Sequence, residues 1–163
     1  MSSSSIWAVI PAAGIGSRMQ SDVPKQYLPL AGSTVIENTI KRLFSCDKVS
    51  GLAISLRHDD QYWSGVKIDS DKPVIQVDGG AERCDSVLNA MKVLAEHEDF
   101  DINNDGVLVH DAVRPCVRTD DIDQLIEQGT VSEAGSLLAV PVRDTMKRAD
   151  NNQSVLDTVD REG

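Results

Sequence analysis

Two kinds of hydrophobic pattern alternate along the chain. Short continuous apolar runs, rich in β-branched residues, read as buried strands. They are Ile6-Trp7-Ala8-Val9-Ile10, Leu52-Ala53-Ile54-Ser55-Leu56, Val74-Ile75-Gln76-Val77, Val107-Leu108-Val109 and Leu137-Leu138-Ala139-Val140. Helical spacing fills the gaps between them. Thr34-x-x-Glu37 is a capping box followed by Ile36, Ile40, Leu43 and Phe44. A second helix follows Asp78-Gly79-Gly80, with Val87, Leu88, Met91, Leu94 and Ala95 on its apolar face. A third opens at Thr119-Asp120-Asp121, acidic in its first turn, with Ile122, Leu125 and Ile126 turned inward.

This alternation predicts an α/β fold: a Rossmann-like, mostly parallel sheet with helices on both faces. Such sheets bind ligands beyond the carboxyl ends of their strands. Three polar clusters stand there: the Gly-rich loop after Ile10, Asp78-Gly79-Gly80 after Val77, and His110-Asp111 after Val109. Residues 143–163 differ. Two short polar, β-capable runs flank Asn151-Asn152 and predict a protruding hairpin arm. The expected division is a nucleotide-binding α/β domain over 1–142 and the arm over 143–163.

Composition narrows the partners. The 163 residues carry a formal net charge of -10, which argues against a nucleic-acid surface. A small anion needs only a few cations and main-chain N–H groups. The three cysteines are odd in number and far apart, and read as buried reduced thiols. His110 reads as packed or hydrogen-bonded, and His58 and His97 as solvent-facing. The apolar run Ile6 to Ala13 is far shorter than the ~20 residues of a membrane span. A cytoplasmic protein with no membrane partner is expected. Asp101-x-Asn103-x-Asp105-Gly106 begins like a calcium loop, but its twelfth position is Ala112, so it reads as a surface turn.

The loop Pro11-Ala12-Ala13-Gly14-Ile15-Gly16-Ser17-Arg18-Met19 carries the most chemistry. Gly14 and Gly16 let the backbone turn its N–H groups onto a phosphate. Arg18, and Lys25 in Pro24-Lys25-Gln26, bring two cations beside it. The spacing fits neither a Walker loop nor G-x-G-x-x-G. Asp111, followed by Arg114-Pro115, is either a turn former or a carboxylate for magnesium on a triphosphate. Ser86 is either a helix cap or a reader of a base edge. Glu37 lies roughly where a dinucleotide fold would hold a ribose, but inside a capping box.

In order, the motifs PAAGIGSRM, PKQY, DGGAERCDSV, VLVHDAVRP, VPVRDTMKR and TVDREG resemble the 2-C-methyl-D-erythritol 4-phosphate cytidylyltransferase family of non-mevalonate isoprenoid synthesis. The resemblance runs from Ile6 to Gly163. It implies a nucleotidyltransferase that joins CTP to methylerythritol phosphate, releases pyrophosphate and uses Mg2+. By the same resemblance, Arg18 and Lys25 are catalytic and stabilise charge at the α-phosphate. Ala12, Ala13 and Gly14 hold the nucleotide, and Gly80, Ala81 and Ser86 read cytosine. Asp111 and Ala112 contact the ribose and the metal region. Arg114, Thr145 and Arg161 bind the acceptor. The arm implies a homodimer, with Arg161 reaching the partner's site. An acid is common in the family where Ala81 stands here. The family continues past Gly163 with helices, a strand and an acceptor-positioning lysine, so that lysine has no residue here. A ribitol 5-phosphate enzyme and a CTP-binding chain without turnover are the alternative readings.

Overall fold

The computed structural model describes residues 4–14 and 23–160. Four parallel strands form the sheet: β1 (Ile6–Pro11), β4 (Val49–Leu56), β5 (Val74–Asp78) and β6 (Gly106–Val109), in the order β5-β4-β1-β6. Two small antiparallel pairs accompany it, β2 (Pro29–Leu30) with β3 (Ser33–Thr34), and β7 (Lys147–Ala149) with β8 (Val155–Thr158). The helices are α1 (Val35–Phe44), α2 (Arg83–Ala95) and α3 (Thr119–Val131).

The unbroken apolar run of β1 follows from its position between two partners. Its side chains alternate between two cores, so both faces are covered. Ile6, Ala8 and Ile10 join Ile36, Ile40 and Ile122 on the side of α1 and α3. Trp7 and Val9 join Ala90 and Leu94 under α2. Gly51 of β4 lies beside Trp7, and a Cβ there would fall 2.6 Å from the indole's Cε3, so the ring fills the space of the missing side chain.

Four sequence expectations change. Leu137–Val140 does not form a strand. Ser136 Oγ donates to Leu125 O of α3 at 2.9 Å, and Leu137 and Val140 stay 78% and 86% exposed, outside any ladder. On α2 the buried stripe is Ser86, Ala90 and Leu94, while Leu88 and Met91 face outward. Only Cys46 is a buried thiol, and Cys84 and Cys116 are exposed. His97 packs against Trp7, ring centroids 5.4 Å apart, rather than standing in solvent.

Other expectations hold. Asp101 accepts from Asn103 N at 2.9 Å, and Asp105 from Ser5 N at 2.7 Å, which makes the calcium-like segment a self-bonded turn before β6. The β7–β8 hairpin turns where Asn151-Asn152 predicts, with Asp150 Oδ1 accepting from Asn152 N and Ser154 N. No helix among the described residues is long and apolar enough to cross a membrane.

The capping box of α1 is complete, and Glu37 does more than cap. Its carboxylate accepts from Ser33 Oγ at 2.5 Å, Thr34 N at 2.7 Å and Lys67 N at 2.7 Å. These bonds, Ser33's first, hold its pKa down to about 2 from 4.5. A carboxyl depressed in the folded state stabilises fully above its unfolded value and loses that contribution as pH falls through the folded value. Glu37→Ala is therefore expected to cost about 1 kcal/mol at pH 7. Urea unfolding should show this difference shrinking between pH 4.5 and pH 2.

Candidate nucleotide site

In the order β5-β4-β1-β6, the connection direction reverses between β1 and β6, so the carboxyl ends of those strands flank a crevice. Ala12, Ala13 and Gly14 leave the end of β1. Ala12 N donates to Ser55 O at 2.8 Å and extends the ladder with β4 by one residue. Gly14 has open space where a Cβ would stand.

The turn carrying Lys25 is tied to this loop. Lys25–Tyr27 is one 3-10 turn. Buried Gln26 donates from Nε2 to Ala12 O at 2.9 Å. Tyr27 stacks on Tyr62 and donates its hydroxyl to Asp60 Oδ2 at 2.7 Å. Burial, and then the Asp60 bond and charge, push the Tyr27 pKa up, so the phenol keeps its proton and that bond. Lys25 thus sits on a turn fixed by both following side chains.

The loop after β5 closes against the first. A Cβ on Gly79 would collide with Ala13 Cβ and lie 3.1 Å from Leu56 O. Gly80 N donates to Ser86 Oγ at 3.1 Å, and Ser86 Oγ donates to Glu82 O at 3.2 Å. The hydroxyl is buried and ties the Gly80 turn to the start of α2. Ala81 is exposed beside it.

Asp111 follows β6. Arg83, at the start of α2, donates from Nε at 3.0 Å and from a terminal nitrogen at 2.7 Å to Asp111 Oδ1. Arg114 Nε lies 2.8 Å from Oδ2. Partial burial pushes the carboxyl up, but the Arg83 hydrogen bonds and the charges of Arg83, Arg114 and His110 outweigh it and hold the pKa below the ordinary value. The carboxylate therefore stays ionised at neutral pH. His110 Nε2 lies 3.0 Å from Arg114 O, a hydrogen-bonded histidine as expected. Ala112 is buried, its carbonyl accepting from Thr39 Oγ1 at 2.9 Å.

The structure thus brings the loops of Ala12, Ala13, Lys25 and Gly80 into contact, with Ser86 in the first turns of α2 and Asp111 joined to the start of that helix through Arg83. Thr145 is exposed in the irregular segment just before β7. Gly16, Arg18 and Arg161 lie outside the described residues. Three participants escape a pattern-based reading: Arg83, Gln26 and Thr39. Arg83 lies in the DGGAERCDSV segment, and nothing in spacing alone links it to Asp111, 28 residues on. Gln26 and Thr39 are polar residues in a turn and a helix, where periodicity assigns them to solvent.

A family model described as IspD, 2-C-methyl-D-erythritol 4-phosphate cytidylyltransferase, matches residues 6–163. The chain belongs to this family. The cytidylyltransferase of Vibrio vulnificus strain YJ016 is 49% identical over 160 residues, which cover 98% of this chain and 66% of the relative. The chain therefore spans just under two thirds of that relative's length. A crystal structure of a 4-diphosphocytidyl-2C-methyl-D-erythritol synthase superposes with a TM-score of 0.84 at 31% identity, covering 100% of this chain and 71% of the other. That of the Francisella tularensis cytidylyltransferase gives 0.75 at 35% identity, covering 98% and 67%. Glu37 is engaged in the capping box of α1.

Proposed function

We propose that this chain carries the nucleotide half of a cytidylyl-transfer site, which takes CTP and a sugar-alcohol phosphate and releases pyrophosphate. The observation that carries this reading is the convergence of the loops after β1, β5 and β6, with the Lys25 turn bonded to Ala12 O. Ala12, Ala13 and Gly14 hold the nucleotide through main-chain groups. Gly80, Ala81 and Ser86 face the base. Ser86 Oγ spends its proton on Glu82 O, so its part in base reading is to fix the Gly80 turn and offer a lone pair. Asp111 and Ala112 take the ribose side.

The acceptor in this reading is 2-C-methyl-D-erythritol 4-phosphate, held by Arg114, Thr145 and Arg161. Its phosphate oxygen attacks the α-phosphorus in line. One P–O bond forms as the bond to pyrophosphate breaks, and no covalent enzyme intermediate is needed. Both reactants are anions, so positioning and fixed positive charge from Arg18 and Lys25 lower the barrier. Asp111 fits a divalent ion, because Mg2+ commonly takes one or two carboxylates together with substrate phosphates. Such an ion would neutralise phosphate charge. Arg83 and Arg114 hold both oxygens of Asp111 in the free protein and would share them with it. The β7–β8 hairpin, exposed along both strands, supplies the surface for a homodimer.

Pyrophosphate release tests the reading. With CTP and Mg2+, release is expected with methylerythritol phosphate and not with ribitol 5-phosphate. Release with ribitol 5-phosphate alone would move the chain to a sibling activity. CTP binding without release from either acceptor would make it a binding chain.

A further inference from the structure

Among the described residues, four polar side chains are buried: Gln26, Thr39, Ser55 and Ser86. Each bonds to main chain at a strand-end loop or the helix that follows one. Ser55 Oγ donates to Ser86 O at 2.6 Å, and Ser86 Oγ accepts from Gly80 N. Gln26 Nε2 donates to Ala12 O, and Thr39 Oγ1 shares its proton between Val35 O and Ala112 O, each at 2.9 Å. Ala12 and Ala112 stand past the ends of β1 and β6, neighbouring strands on the two sides of the crevice.

We propose that Gln26 and Thr39 are positioning residues that aim the two walls of the nucleotide crevice by fixing the carbonyls of Ala12 and Ala112. This rests on the reading of the crevice as a CTP site. A trans peptide is planar, and its C=O and N–H point in opposite directions. A carbonyl drawn inward to Gln26 therefore turns the N–H of Ala13 the other way, out of the core. The carbonyl drawn to Thr39 does the same for the N–H of Val113. Both side chains reach these carbonyls from the core side, from a turn and from the buried face of α1. Burial of an unpaired carbonyl is costly. When its donor is lost the peptide rotates to find another, and the N–H on its far side swings with it.

The test compares Thr39→Val and Gln26→Met, which keep bulk and remove the donor, with Thr39→Ser, which keeps it. Leu94→Val, in the core near the far end of α2, calibrates the effect of lost stability alone. In the wild-type chain and each variant, calorimetry measures CTP affinity, and hydrogen exchange measures the amides of Ala13, Val113 and Leu52. Thr39→Val and Gln26→Met are expected to weaken CTP binding about tenfold, the scale of one buried hydrogen bond. Exchange should accelerate at Val113 in the first and at Ala13 in the second, with Leu52 unchanged. Thr39→Ser should restore both readouts, and Leu94→Val should move neither. Affinity and loop exchange that follow stability alone, as in Leu94→Val, would overturn the proposal. If the wild-type chain binds no CTP, the site reading fails by itself. Exchange then decides the positioning claim, and unchanged rates at Ala13 and Val113 overturn it.

Discussion

Lys25→Ala is expected to lower turnover by about 10²–10³, the loss that follows removal of one preorganised charge stabiliser, ~3–4 kcal/mol of barrier. The size of the effect comes from the fixity of the turn. Gln26 is anchored to Ala12 O, and Tyr27 is held by Asp60 and stacked on Tyr62. The ammonium is thus carried on a backbone set relative to the nucleotide loop before substrate arrives. A cation on a mobile segment would have to be ordered during the reaction, and its removal would cost less. Lys25 is half-buried at the surface, so the variant should unfold within about 0.5 kcal/mol of wild type. The measurement is steady-state pyrophosphate release with CTP and methylerythritol phosphate. The fall belongs in kcat, because the charge acts where negative charge builds up. Arg18→Ala carries the same expectation from its place in the Gly-rich loop. Near-normal turnover in Lys25→Ala would remove it from the catalytic role.

Gly79→Ala has the largest expected effect on both fold and binding. The new methyl would occupy the space of Ala13 Cβ, with Leu56 O at 3.1 Å and Ser86 Oγ at 3.2 Å closing the other sides. Ala13 has no longer side chain to swing away, so relief requires the loops after β1 and β5 to part. Overpacking of this kind costs about 1–3 kcal/mol, to be read in urea unfolding. The same movement displaces Ala13 and Gly80 together, so CTP affinity should fall more than tenfold, about 1.4 kcal/mol or more. Ala13→Gly placed in the Gly79→Ala background removes the collision and should recover stability and affinity together. Separate recovery of the two would break the link drawn here between loop contact and binding.

The elements that build this site were legible where a single residue pattern has a single physical solution. The β-branched apolar run of β1, ended by Pro11 and the Gly-rich loop, forms the strand covered on both faces that it predicts, and Thr34-x-x-Glu37 forms the capping box it spells. The loops after β1, β5 and β6 were legible because strand–helix alternation implies parallel strands, whose carboxyl ends share one edge of the sheet. Leu137–Val140 misled because an apolar run states burial potential and not pairing. A strand needs a ladder partner, and Ser136 ties this segment to α3 instead. The face of α2 was misread because small Ser86 and Ala90 let the helix approach the sheet, which turns larger Leu88 and Met91 outward. Arg83, Gln26 and Thr39 stayed hidden for a different reason. Their roles are long-range hydrogen bonds, up to 73 residues apart for Thr39 and Ala112, which local periodicity does not encode.

The central claim is that cytidine nucleotide binds across the carboxyl ends of β1, β5 and β6. Amide chemical shifts of the labelled protein, followed during titration with CTP and Mg2+, test it most directly. Perturbations centred on residues 12–14, 79–81 and 111–113, stronger with CTP than with ATP, are the predicted result. Shifts confined to another face, or none at saturating CTP, would contradict the account.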